Sequence, residues 1–396
     1  MDIDLGAPEA FSDPADYWRR ARATGPVQWS DRHRAWLVLS HGEVEAAFRD
    51  SETLSADRTG AFQRSARAHP AFAQAAELLS GWMNFRDPPV HTRLREPVRA
   101  AFTPRAISAL EPEVDQIVAQ AMDAFPDSAV DLNRDFARPI PALVIAAMLG
   151  VEPADRRRLQ DWSDDLAEIV FAITPGATAE EPVLRATREF VAFFSGLIER
   201  ERAAPRGNLL TAIVHSPLNE LSQLELVGAC TLLLFGGHET TTTLLINAIG
   251  TLLARPDLAE WLREHAEADA TAADEFLRTG GPGRTMVRKV AKDHERGAQQ
   301  LRAGQNVFLS IAAANHDETV FDDPGRIDLH REPNPHLSFG WGLHYCLGAT
   351  LARLEARIAV RMLLERFPRL RSDGPVTPPR GSALGFGRRP LPVLLR

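Results

Sequence analysis

The stretch that decides the fold reads Phe339-Gly-Trp-Gly-Leu-His-Tyr-Cys346-Leu-Gly348. A helical pattern follows at once, with Leu347, Leu351, Leu354 and Ile358 recurring at the spacing of a buried helix face. Cys346 therefore sits at or just before a helix N-terminus, where exposed N–H groups and the helix dipole favour a thiolate over a thiol. Gly340 and Gly342 permit a tight turn with positive φ, and Gly348 lets another group approach the backbone closely. A metal-ligating thiolate needs such a cage, with backbone donors to tune the sulfur and apolar cover to keep water off. The plain alternative, natural for an isolated cysteine, is a buried thiol with no chemistry.

Outward from this loop, the chain is an ordinary globular one of 396 residues, 44% hydrophobic and 25% charged. Its formal net charge of -8 and the lack of a basic block argue against general nucleic-acid binding and against an anionic membrane surface. No stretch approaches the ~18 consecutive apolar residues of a membrane span. The most apolar run, Leu224 to Phe235, is short and leads straight into Gly-Gly-His-Glu. Acids near the N-terminus, where a signal peptide would be basic, point to the cytoplasm. Two cysteines, Cys230 and Cys346, make no disulfide framework and suit a reducing compartment.

Amphipathic patterns predict helices over Pro104–Phe125, Val183–Arg202, Glu220–Leu253 and Leu347–Phe367. Strand signals are fewer: Ala35–Leu39, Gln305–Ser310 and Pro392–Leu395. Asp57–Pro89 and Ala312–Gly348 read as loops, the second long enough to be functional. The expectation is one mainly α domain over residues 1–396, with small peripheral β-sheets.

The segment Leu232-Leu-Leu-Phe-Gly236-Gly237-His-Glu239-Thr240-Thr-Thr-Thr243 is an odd helix centre. Each glycine costs ~1 kcal/mol relative to Ala, and threonines are weak helix formers. Overridden propensity often marks a functional site. Gly236 lies one turn before Thr240 on the same face, so its missing side chain would open a groove beside the hydroxyl with room for a diatomic ligand. Glu239 could relay protons from solvent. The alternative is a Thr-rich helix whose hydroxyls bond back to the preceding turn.

The cysteine stretch resembles the heme-binding signature of the cytochrome P-450 superfamily, Phe-Gly-x-Gly-x-His-x-Cys-x-Gly, at every fixed position. The resemblance implies the family's triangular helical prism, heme b with Cys346 as the metal ligand, and Phe339 and Gly348 beside it. Glu275-Phe-Leu-Arg278 and Arg331 look like the family's buried Glu–Arg–Arg network, a structural device holding the cysteine loop. His91 and Arg95 are similar to the pair that grips a heme propionate; Arg288 and His344 resemble further propionate ligands, and His336 is expected to make a structural hydrogen bond. Gly236, Glu239 and Thr240 look like the heme-contacting glycine and the acid–alcohol pair that deliver protons during dioxygen activation.

By the same resemblance, a small-molecule substrate meets the Asp57–Phe85 and Ala167–Glu181 regions, with Leu233, Gly237, Arg284, Thr285 and Phe386 as pocket residues. Gly236 and Gly281-Pro-Gly283-Arg284 depart from the usual pattern and would enlarge the space above the heme. Arg284 would either salt-bridge an anionic substrate or point to solvent. Arg353, Arg357 and Arg361 form a basic stripe, and Arg353 matches a position that can engage an acidic ferredoxin. With no reductase module in the chain, a separate ferredoxin and ferredoxin reductase would supply electrons, dioxygen would be the oxidant, and a monomer is expected. Hydroxylation, epoxidation and O-dealkylation stand beside C–C coupling, desaturation and decarboxylation, which share one oxidant. A heme sensor, an electron carrier and a heme-free scaffold are the rivals from other classes.

Overall fold

The computed structural model describes residues 3–126, 129–171, 180–218, 220–376, 381–385 and 389–395. Phe386 and residues 172–179, both named above as pocket-forming, lie outside the described residues. Helices dominate. Those that matter below are α1 (His41–Arg49), α2 (Thr59–Ala68), α3 (Ala73–Ser80), α4 (Val90–Ala101), α5 (Pro139–Met148), α6 (Gln223–Ala254), α7 (Asp269–Gly280) and α8 (Ala349–Arg366).

The chain forms two compact units, each visited more than once: Met1–Ser55, Val114–Arg138 and Thr240–Arg396 make the first, Ala56–Glu113 and Pro139–Glu239 the second. Helix α6 runs through both. Its 32 residues are apolar almost all round, so burial rather than propensity sustains it past Gly236, Gly237 and four threonines. No helix among the described residues is long and apolar enough to cross a membrane.

The first unit carries a five-stranded sheet from β1 (Val27–Ser30), β2 (Ala35–Val38), β3 (Leu54–Ser55), β4 (Thr285–Val290) and β5 (Asn306–Ser310), in the order β1-β2-β5-β4-β3. Only β2 and β5 are parallel; Trp36 pairs with Val307, and Arg288 of β4 faces Val307 from the other side. Val38, Val307 and Leu309 pack from the sheet onto Val44 and Phe48 of α1 and Leu337 of the cysteine loop. Burial of these branched side chains, each worth about 1.5–3 kcal/mol, seats the loop on a rigid base.

The expected strands appear at Ala35–Val38, Asn306–Ser310 and Pro392–Leu394, and the expected helices at Glu180–Ala203, α6 and α8. Pro104–Phe125 divides into Pro104–Ser108 and Glu111–Asp123. The region read as a loop over Asp57–Pro89 instead holds α2 and α3. Neither is long, and Phe62 is the one large apolar side chain of α2, too little to mark a buried stripe. Tertiary contact supplies what propensity lacks: Ala75, Leu78 and Leu79 of α3 are fully buried.

Candidate functional site

Cys346 stands three residues before the first residue of α8, half-buried, and its N–H donates to the Phe339 carbonyl at 2.9 Å. Gly340 and Gly342 take φ of +68° and +70°, the left-handed region expected for this turn. A Cβ on Gly342 would lie 3.0 Å from the Phe48 carbonyl oxygen and 3.4 Å from Arg49 Cα, so α1 presses directly against the loop. A Cβ on Gly348 would stand 4.0 Å from Cys346 Sγ, which gives the sulfur a close backbone neighbour. Arg49 lies over the Trp341 ring at 5.3 Å. Phe48 and Arg49 escaped the sequence reading, since nothing local in α1 marks it as the loop's support.

Behind the loop, Arg278 donates from Nε and Nη2 to the two oxygens of Glu275 at 2.8 and 2.7 Å, both side chains wholly buried. Arg331 Nε lies 3.3 Å from Glu275 Oε2, completing the expected network. Asn334, not foreseen, donates to the same carboxylate at 3.1 Å, and Arg278 Nη1 also caps the Asn315 and Pro324 carbonyls at 2.9 and 2.8 Å. Such full satisfaction is what a buried ion pair requires.

Arg353, expected to engage a ferredoxin, is half-buried and makes contacts within the first unit. Its Nε donates to Asp274 Oδ1 at 2.6 Å, its guanidinium lies 4.6 Å from the Phe339 ring centroid, and it hydrogen-bonds Tyr345. His336 makes its expected structural bond, to the same Asp274 oxygen at 3.2 Å. Asp274 sits directly before Glu275 in the sequence, a signal that could have found it.

Of the basic residues, Arg288 lies on β4 with its guanidinium 5.8 Å from the Phe48 ring, and His344 closes a single 3-10 turn before Cys346. In the second unit, His91 is buried on α4, and burial, with Arg95 adding repulsion, pushes its pKa down to about 4. Its ring is therefore neutral at pH 7 in the protein alone.

On α6, Gly236 is half-buried and a Cβ placed there would meet nothing within 4 Å. Thr240, one turn on, is exposed although Thr241 and Thr242 beside it are buried. One face of a buried helix is thus open at these two residues. Glu239 lies 3.6 Å from Nδ1 of His238, a wholly buried ring that the sequence reading passed over. Gly237 is half-buried, and a Cβ there would touch Ile145 of α5 at 3.4 Å. Leu233 and Thr285 are buried, Thr285 in register with Ser310.

Arg284 does not point to solvent, one of its two expected roles. Its side chain is buried, donates from Nη2 to the Ala10 carbonyl at 2.7 Å and stacks 4.0 Å over Phe11, and burial pulls its pKa down to about 10. It fastens the N-terminal segment to the start of β4.

A family model described as Cytochrome P450 matches residues 199–395. The cytochrome P450 monooxygenase PikC of Streptomyces venezuelae is 37% identical over 383 residues, 94% of this chain and 88% of PikC. The chain belongs to the cytochrome P450 family. The mycinamicin IV hydroxylase/epoxidase of Micromonospora griseorubida is 36% identical over 364 residues, covering 90% of this chain and 88% of that one. The solved structure of P450BioI, in complex with an acyl carrier protein ligated to hexadec-9Z-enoic acid, superposes with a TM-score of 0.88 at 30% identity, covering 98% and 99% of the two chains. The fold is therefore the P450 fold, and the protein is an oxidoreductase of the monooxygenase type whose cofactor class is heme iron. The residues present fit such a group: a half-buried thiol ahead of a helix N-terminus, in a glycine-turned loop that tolerates no side chain at Gly342, is a thiolate ligand's setting.

Proposed function

We propose that this P450 inserts one atom of dioxygen into a small organic substrate, using heme b held by Cys346, with electrons from a separate ferredoxin and its reductase. The observation that carries this reading is the open face of α6 at Gly236 and Thr240, with Glu239 adjacent. An electron carrier or sensor has no use for an acid and an alcohol on an opened helix face; a monooxygenase does.

In this reading the thiolate of Cys346 would hold the heme iron, and the Cys346 N–H to Phe339 carbonyl bond ties the two ends of the turn that presents it. His91, Arg95, Arg288 and His344 hold the propionates, since two buried carboxylates require cations or strong donors. Phe339 and Gly348 cover the thiolate side. Bound heme supplies the redox chemistry that activates dioxygen. Thr240 holds and passes a proton at its Oγ1, and Glu239 resupplies it from solvent. The relatives' 90% or better coverage of this chain supports reading residues 1–396 as one functional domain. We place it in the cytoplasm, as a monomer acting on a diffusible substrate.

Two measurements test the reading. The reduced protein under CO should show the strongly red-shifted Soret band of thiolate ligation, and Cys346→Ala should abolish it; an ordinary histidine-type band would overturn the assignment. Thr240→Ala should consume NAD(P)H without matching product, whereas unchanged coupling removes the proton-delivery role.

A further inference from the structure

The second unit holds an arginine whose burial is not explained by the fold alone. Arg58 precedes α2, and its N–H donates to the Phe85 carbonyl at 3.2 Å. Its half-buried guanidinium lies over the Phe85 ring, 5.1 Å from the centroid. Among the described residues no carboxylate or carbonyl takes a hydrogen bond from that guanidinium. The neighbouring acid does not serve it: Asp57 accepts from the Thr59 N–H at 2.8 Å and pairs with Arg86 at 3.4 Å. Desolvation pulls the Arg58 pKa below its ordinary value, with no compensating charge. One phenyl ring is a weak counter-charge for a guanidinium taken out of water.

What surrounds Arg58 gives it a direction. Phe85 meets Phe62 edge-on at 5.2 Å and stacks with Trp82 at 5.8 Å, and Trp82 packs against Phe235 at 5.2 Å. The row is pinned by Trp82 Nε1, which donates to Thr231 Oγ1 of α6 at 3.0 Å. It is pinned again by Gly228, where a Cβ would strike the Gly81 carbonyl oxygen at 3.1 Å. Phe235 is followed directly by Gly236. A row of packed aromatic rings therefore runs from Arg58 to Phe235, the residue before Gly236 on α6.

We propose that Arg58 anchors a carboxylate of the substrate, whose apolar part lies against the half-buried Phe62 ring, backed by the buried rings of Phe85 and Trp82. This rests on the monooxygenase reading above. A carboxylate suits the site better than a phosphate ester, because the other arginine here, Arg86, is committed to Asp57 and to the Ser80 carbonyl at 2.8 Å, leaving one fork for one charge.

The test is calorimetric titration of the holoprotein with phenylbutyrate and dodecanoate, each against its methyl ester. The wild-type protein should bind at least one acid about tenfold or more tighter than its ester. Arg58→Met, which keeps the apolar stem, should shrink that preference to about twofold, and Arg58→Lys should restore part of it. Acid affinity should also fall with added salt while ester affinity holds, a readout that needs no variant to fold. Absence of any acid preference in the wild type, or its survival in Arg58→Met, overturns the proposal. The reduced CO spectrum of the same preparations separates the two levels. With the thiolate-type band present and no acid preference, only the Arg58 assignment falls; without the band, the heme reading falls and this proposal with it.

Discussion

Arg353 Nε donates to Asp274 Oδ1 at 2.6 Å, fastening the helix that follows the cysteine to the helix that carries Glu275. The same oxygen meets His336 Nε2 at 3.2 Å, so one carboxylate joins His336, ahead of the cysteine turn, to Arg353 on the helix after it. Burial works against the charge on Asp274, yet the His336 bond and the Arg353 charge hold its pKa below the ordinary carboxylate value. Asp274 is thus an ionised clasp on the loop, and Arg353 stiffens it further by stacking on Phe339.

Asp274→Asn keeps the size and removes the charge, leaving a half-buried guanidinium without its counter-ion. A loss of about 1–3 kcal/mol is expected, with looser presentation of Cys346. Hydrogen exchange should show faster exchange at the Cys346 amide, and the thiolate-type CO band should decay sooner on warming. Arg353→Met should do much the same, and the double variant should add little. Additive effects would show that the two residues act separately.

Gly342→Ala should damage the loop more than its backbone strain alone. Any L-residue at φ +70° costs about 1–2 kcal/mol, and here the new methyl must also push Phe48 and Arg49 of α1 away. Gly304 is the control, with φ +88° and nothing within 4 Å of a Cβ. Gly304→Ala should lower the melting temperature slightly and leave heme retention intact, whereas Gly342→Ala should lower both. Equal losses would mean that contact with α1 carries no energy.

What could be read in the chain, and what could not, divides along the range of the interactions. The turn at Gly340 and Gly342, the Glu275–Arg278 pair and the glycine–threonine face of α6 are local patterns, and each stands where its spacing put it. Arg284 and Arg353 are different: each bonds a group far away in the chain, Ala10 or Asp274, and no local pattern points to such a partner. Helices α2 and α3 were invisible for a related reason, since their stability comes from what they pack against. Arg58 lay within a stretch already marked for substrate, but only the ring of Phe85 beside it singled it out.

Glu355 of α8 should impose a pH dependence. It is buried, its Oε2 has no hydrogen-bond partner among the described residues, and burial pushes its pKa up to about 8 from 4.5. The folded protein therefore binds a proton that the unfolded chain releases between these values, so stability falls as pH rises from about 4.5 to about 8. Glu355→Gln should match the wild type near the lower pH and melt several degrees higher above the upper one. The full effect is of the order of a few kcal/mol. Parallel wild-type and variant curves across the range would mean that the carboxyl finds solvent or a partner.

Gly236 offers the sharpest separation of stability from function. Glycine in a helix interior costs about 1 kcal/mol relative to Ala, and a Cβ at this position meets nothing within 4 Å, so Gly236→Ala should raise the melting temperature. Gly236→Val adds two further carbons, which occupy the face shared with Thr240. Its β-branching gives back part of the helix gain, leaving stability near the wild type. Flash photolysis of the CO complex should then show slower rebinding in the order Gly, Ala, Val, with substrate affinity falling in the same order. If the valine variant rebinds CO as fast as the wild type, the open face beside Thr240 is not where the diatomic ligand sits.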